Sequence, residues 1–229
     1  MDRPARYALY FTPAPGSALD AFGDAIFRDA ILGDGVPGVP EALRTFLAAN
    51  TAEPRVYGFH ATLKAPMRLG PGVTEADLLA AAEGLALHRE PILVGPLRVT
   101  ALGDVIALVP EAAPPTLGLF AAECVAALDP LRAPLTGAER ARRRPEHLGP
   151  RERSLLERWG YPHVFEAFRF HMTLTGGLAP RDREAFLPAL AEAYRGVPDL
   201  VIDAVSVVVQ ERPQDGAPFR LLRRMAFRP

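Results

Sequence analysis

Apolar and polar positions alternate in short runs separated by helical stretches. Arg6 to Phe11 is rich in aromatic and aliphatic residues and predicts a first strand, which Pro13, Pro15 and Gly16 break. Ser17 to Ala30 predicts a short helix with Ser17 as its cap; residues 33 to 40 predict a Gly/Pro loop, and Glu41 to Asn50 a helix. Tyr57 to Ala65 predicts a strand. Thr74 follows a Pro-Gly turn and caps a helix to about Leu87, with Leu78, Leu79, Ala82 and Leu85 at helical spacing. Pro91 to Thr100 and Val105 to Val109 predict strands joined by a Gly103-Asp104 turn, and Thr116 to Leu128 a helix. The rhythm then lapses over residues 130 to 167. It resumes with a strand from Phe168 to Thr175, a helix from Pro180 to Arg195, and a Val-rich strand from Leu200 to Gln210 that pairs as a hairpin with Phe219 to Phe227.

The two halves repeat one another. Phe59-His60-Ala61-Thr62-Leu63 in the first matches Phe170-His171-Met172-Thr173-Leu174 in the second at every position but the middle one. Each copy precedes a helix and then a β-hairpin, so β-α-β-β occurs twice. The expected fold is α+β: a single bilobal domain over residues 1–229, with two antiparallel sheets around a central cleft and helices outside. Lobe one covers about 1–110. Lobe two covers about 115–229 and carries the inserted basic segment 130–167. Side chains two apart on a strand share a face. Phe59, Ala61 and Leu63, like Phe170, Met172 and Leu174, are apolar and face a core. His60, Thr62 and Lys64, and Arg169, His171, Thr173 and Thr175, face the other way. A shared ancestor preserves apolar positions for packing alone; it does not readily preserve His and Thr on the face away from the core.

Composition narrows the partners. The formal net charge is −1, with 49% hydrophobic and 23% charged residues, so the chain can bury a sizeable core and no global field draws long polyanions. The lone cysteine, Cys124, lies in an apolar helix and reads as an inert buried thiol. Met1 to Phe11 has no long apolar region of the secretory kind, and no run approaches the ~18 apolar residues of a membrane helix, so the expected location is cytoplasmic without membrane association. Lys64 is the only lysine among 26 basic residues. Its survival in an arginine-biased chain hints at a need for a compact charge.

These motifs resemble the 2H phosphoesterase superfamily, which includes the bacterial 2′-5′ RNA ligase-like proteins and cyclic nucleotide phosphodiesterases. Arg6-Tyr-Ala-Leu-Tyr, Tyr57-Gly-Phe-His-Ala-Thr-Leu-Lys-Ala-Pro66 and Trp159-Gly-Tyr-Pro-His with Phe168-Arg-Phe-His-Met-Thr-Leu-Thr175 resemble the DUF1045 branch, often encoded with carbon–phosphorus lyase genes. The resemblance implies a phosphodiesterase acting on a small cyclic phosphate or a 2′-5′ or nucleotide-type diester. It implies catalysis by His60, His171, Thr62 and Thr173, with no cofactor and no metal.

The residue types suit that chemistry. Histidine, with an unperturbed pKa of ~6.5, supplies a base and an acid near neutral pH, and threonine hydroxyls donate to non-bridging oxygens. Lys64, Arg169, Tyr10 and Thr175 are the expected substrate-binding residues, with Tyr10 stacking on a base or sugar or else joining the core. Arg140 to Arg144 reads first as a solvated arginine run and second as a strap over phosphates. Tyr57 reads as packing, Tyr161 and His163 as loop residues at the cleft edge, and His88 and His147 as surface residues. Three rivals stand beside this reading. A metallohydrolase needs a third ligand that no HxxE, HxH or Cys/His cluster supplies here. A non-catalytic phosphate- or nucleotide-binding module would bind without turnover. An RNA-end-processing enzyme has no long basic tract to work with, which leaves only a short 2′,3′-cyclic end.

Overall fold

The computed structural model describes residues 4–29 and 40–228. Most of the expected loop at 33 to 40, and Ala30 at the end of the expected first helix, lie outside the described residues.

Strand β1 (Arg6–Phe11) leads to α1 (Ala18–Asp24), where the Ser17 hydroxyl accepts from the Asp20 N–H, and on into a π turn (Ala25–Asp29). Helices α2 (Glu41–Asn50) and α3 (Ala52–Arg55) precede β2 (Ala61–Met67). Helix α4 (Glu75–Ala86) opens with a capping box between Thr74 and Asp77. Strands β3 (Ile92–Gly95), β4 (Leu97–Leu102) and β5 (Val105–Pro110) follow, then α5 (Pro115–Leu128). The lapse in rhythm becomes short helices, among them α6 (Gly137–Arg142) and α7 (Pro150–Trp159). The chain closes with β6 (Met172–Thr173), α8 (Pro180–Ala193), β7 (Leu200–Ile202), β8 (Ala204–Gln210) and β9 (Arg220–Ala226).

Both sheets are antiparallel, as expected, but of unequal size. Seven strands run in the order β4-β5-β6-β2-β1-β8-β9, and β3 pairs with β7 in a separate two-stranded sheet. The expected strands at 91–100 and 200–210 are each divided, at Pro96 and at Asp203, and their two parts join different sheets. The halves interleave. The first half's β4–β5 hairpin lies beside the second half's motif strand β6, and the second half's β8–β9 hairpin lies beside β1. Motif strands β2 and β6 are therefore neighbours, with Ala61 opposite Met172.

The core lies on one face. Leu9, Phe11, Ala61, Leu63, Met172 and Leu174 share it with Leu78 and Ala82 of α4 and Leu117, Phe120 and Cys124 of α5. Each large side chain sealed there contributes about 1.5–3 kcal/mol over exposure. Phe46 of α2 stacks on Phe186 of α8 at 3.6 Å, tying the helices together. The opposite face of β1 takes part in a separate small cluster of Ala8, Tyr10 and Val208, covered by Phe219. His60, which stacks on Tyr10, lies on that second face.

Candidate active site at the paired histidines

The motif strands are shorter than the sequence suggests. His60 and His171 precede β2 and β6 rather than sitting within them, and β6 is only two residues long. A side-chain bond accounts for this. His60 Nδ1 donates to the Gly58 carbonyl at 2.8 Å, across a bend in which Gly58 holds φ +76°. His171 Nδ1 donates to the Arg169 carbonyl, also at 2.8 Å. The two copies thus repeat the same bond from each imidazole to the carbonyl two residues earlier. A carbonyl only accepts, so the bond places a proton on Nδ1 and leaves Nε2 of each ring outside that bond.

The register sets the rest. With Ala61 opposite Met172 in antiparallel pairing, His60 lies toward Thr173 and Thr62 toward His171. All four line one cavity of about 630 Å³, walled by Tyr161, His163, Phe168 and Arg169 among others. The same four line a second cavity of about 520 Å³. The histidines and threonines stand at the seam between the two. The Thr62 hydroxyl donates to His60 Nε2 at 3.2 Å. Phe59 and Phe170 anchor the motifs: Phe59 packs edge-on to Phe22 and Phe27, and Phe170 against Phe11.

Electrostatics set His60 apart from an imidazole in water. Burial pushes it down from 6.5 to about 4; the Gly58 bond opposes this and the charge of His171 adds to it. His60 is neutral at pH 7. His163, facing the same cavity, is also lowered, by burial first.

The expected binding residues divide. Arg169 is exposed on the cavity wall. Lys64 is not a free cleft charge. It is 3% exposed, and its Nζ donates at 3.1 Å both to the Val125 carbonyl and to Asp129. It therefore satisfies the C-terminal end of α5, where cations are favoured. Burial lowers its pKa, and Asp129 opposes that. Asp129 also holds Arg132 and Arg158, each at 2.9 Å. Parity fails at Lys64 because β2 is bulged between Thr62 and Lys64: Thr62 pairs with Tyr10 but Lys64 pairs with Leu9, whose side chain faces the core, so Lys64 turns to the face that α5 covers. Thr175 is fully buried, and its hydroxyl accepts from the Ile106 N–H at 3.0 Å, tying the chain after β6 to β5. Tyr10 is 1% exposed and stacks on His60 with ring centroids 3.8 Å apart, because it pairs with Thr62 across β1 and β2. Its face meets the histidine rather than a substrate base.

Sequence reasoning missed Arg6 and Arg68, and assigned Tyr57 to packing. Arg6, Tyr57 and Arg68 line the second cavity with Arg142 and Arg143. Arg6 shares strand parity with Tyr10, a signal that was available. Arg140, by contrast, is paired outside the site with Glu157. Cys124 is fully buried, and burial raises its thiol, as an inert cysteine requires. Among the described residues no group of His, Cys, Asp and Glu side chains is placed to hold a metal ion, and no helix is long and apolar enough to cross a membrane.

Two solved structures resemble the chain along nearly its whole length. TT0787 of Thermus thermophilus has a TM-score of 0.47 at 19% identity, covering 97% of this chain and 98% of that one. E. coli LigT complexed with 3′-AMP has a TM-score of 0.44 at 13% identity, covering 99% and 100%. Two relatives carry the name ribose 1,5-bisphosphate phosphokinase PhnN. The protein from Janthinobacterium sp. (strain Marseille) is 40% identical over 235 residues, covering 97% of this chain and 51% of that protein. The protein from Laribacter hongkongensis (strain HLHK9) is 35% identical over 222 residues, covering 95% and 51%. The chain spans about half the length of these curated relatives. The pattern of the family described as protein of unknown function (DUF1045) matches residues 62–220, well over half of the sequence. The chain belongs to the DUF1045 family.

Proposed function

We propose that this protein is a phosphoesterase of the 2H type that opens a small cyclic phosphodiester without a metal. The observation that carries the reading is the doubled imidazole geometry. Two histidines from distant parts of the chain each lock Nδ1 onto the carbonyl two residues before, and both line the same cavity.

His60 acts as base in the hydrolytic direction. It is neutral at pH 7, and its Nε2 takes a proton from water as the water oxygen bonds to phosphorus. His171 acts as acid. Its Nε2–H passes to the departing alkoxide as the P–O bond breaks, while Nδ1–H stays on the Arg169 carbonyl. The sum adds one water across one P–O bond. When substrate enters, the Thr62 hydroxyl turns from His60 Nε2, and it and the Thr173 hydroxyl donate to the non-bridging oxygens, where charge gathers. Each histidine contributes about 10²–10⁴-fold.

The relatives' name points to the substrate class rather than to this chain's reaction. A phosphate-cradling G-x-x-x-x-G-K-[ST] loop needs a Gly-Lys pair, and the lone Lys64 of these 229 residues follows Leu63. A ribose phosphate or nucleotide is the substrate class we favour. The test is turnover of 2′,3′-cyclic, ribose 1,2-cyclic and 2′-5′-linked phosphates with EDTA present. Opening of one of these, lost in His60→Ala and in His171→Ala, is expected. Tight binding of all of them with no turnover would establish a binding module instead.

A further inference from the structure

The second cavity is more strongly cationic than one scissile diester requires. Six cations line it: Arg6, Lys64, Arg68, Arg132, Arg142 and Arg143. Three are already paired with carboxylates. Lys64 and Arg132 share Asp129, and Arg68 grips Glu139 at 2.9 Å. Arg68 and the Thr136 cap hold the Glu139 carboxyl at about 2 against its burial.

The other three form no ion pair among the described residues. Arg6 rises from β1 and bonds only the neutral side chain of Gln210. Arg142 ends α6, and Arg143 follows it with its guanidinium 4.8 Å over the Tyr161 ring. Glu53 lines the same cavity, but neither it nor any other carboxylate among the described residues forms an ion pair with them. They nevertheless lie close enough that Arg142 and Arg143 disfavour the charge on Arg6, which burial disfavours first. Converging like charges cost free energy unless an anion sits among them.

A second observation points the same way. The hydroxyl of Tyr10 is buried with no hydrogen-bond partner, and Tyr10 lines this same cavity. Tyr57 and Tyr161 line it too, within electrostatic reach of Tyr10, Arg6 and Arg143. An unmet hydroxyl donor beside three unpaired guanidiniums is suited to a group with several charged oxygens. A phosphomonoester dianion presents three, and guanidinium forks match it well.

We propose that this cavity is a subsite for a second phosphate, a phosphomonoester carried by the same substrate whose cyclic diester lies on His60 and His171. The proposal rests on the phosphoesterase reading and narrows it. The substrate is a sugar or nucleoside bearing both a cyclic phosphate and a separate terminal phosphate. The larger cavity takes the organic body, the seam takes the scissile phosphorus, and Arg6, Arg142, Arg143 and Tyr10 take the remote anion.

The test compares adenosine 2′,3′-cyclic phosphate with and without a 5′-phosphate, in the wild type, Arg142→Gln and Arg143→Gln. The wild type is expected to favour the 5′-phosphorylated compound by about tenfold or more in kcat/KM, as a charge-assisted contact warrants. Each substitution is expected to pull that ratio toward one. A ratio near one in the wild type, or a ratio untouched by both substitutions, overturns the subsite; in the latter case the arginines serve the scissile phosphate. A second arm separates this failure from failure of the catalytic reading. Calorimetric affinity for adenosine 3′,5′-bisphosphate against adenosine 3′-monophosphate needs no turnover. If nothing is hydrolysed yet the bisphosphate binds about tenfold tighter and both variants erase the difference, the subsite stands and the catalysis falls. Equal affinities refute the subsite whatever the turnover. Circular dichroism of both variants guards against misfolding, and Arg142 is exposed at a helix end, where its replacement leaves the core untouched.

Discussion

Replacing His60 by Asn gives a direct reading of the electrostatics at the seam. The Asn amide keeps a donor for the Gly58 carbonyl but does not titrate. In the unfolded chain the imidazole protonates near 6.5, whereas in the fold burial delays this to about 4. The unfolded state therefore binds the proton first as pH falls. The stability His60 contributes is present above 6.5 and is lost as pH falls through the window down to 4. At ~1.4 kcal/mol per pH unit, the loss is about 2 kcal/mol between pH 7 and pH 5 and about 3 kcal/mol by pH 4. The assay is urea unfolding of wild type and His60→Asn from pH 7.5 to 4.5, taking the difference between the two curves so that other groups cancel. That difference should shrink or reverse by about 2 kcal/mol from pH 7 to 5. Parallel curves would refute the neutral buried imidazole and with it the assignment of His60 as base. The acid limb of kcat/KM reports the same group in the free enzyme, and its inflection is expected well below 6.

Other perturbations test the parts that hold the histidines. Asp129→Asn strands the buried ammonium of Lys64 and should cost about 3–5 kcal/mol in urea unfolding, whereas Lys64→Met leaves Asp129 with Arg132 and Arg158 and should cost less than half as much. Gly23→Ala places a methyl 2.1 Å from the Phe59 ring, so a loss of about 1–3 kcal/mol is expected, along with reduced turnover from displacement of His60; unchanged melting would contradict the packing. Thr62→Val removes one donor and should lower kcat less than His60→Ala does, by about 10–10³-fold; a larger loss than the histidine's would make Thr62 more than an oxyanion donor. Thr74→Ala opens the capping box of α4 and should cost about 1 kcal/mol with activity retained, read by thermal unfolding and turnover.

Local pattern determined a good deal of this protein. The 3.6-residue spacing of Leu78, Ala82 and Leu85 and the caps at Ser17 and Thr74 depend on neighbours in the chain, and those helices appear where the spacing puts them, whereas the strands at the His-x-Thr motifs are shorter than their alternation predicts. The motifs also sufficed to recognise the family. Contacts between distant segments were decided elsewhere. Nothing local says that the first half's hairpin flanks β6, that the second half's hairpin flanks β1, or that β3 leaves β4 to pair with β7. Strand parity placed Lys64 and Thr175 beside the histidines, yet parity holds only along an unbroken strand: β2 is bulged between Thr62 and Lys64, and β6 ends before Thr175. The end of α5 covers Lys64, and β5 claims the Thr175 hydroxyl. Arg6 and Arg143 lie 137 positions apart in sequence and line one cavity only because the segment after α6 folds back to the cavity that β1 also borders. Sequence specifies periodicity because periodicity is a property of one backbone; the composition of the site is a property of several, and only their packing fixes it.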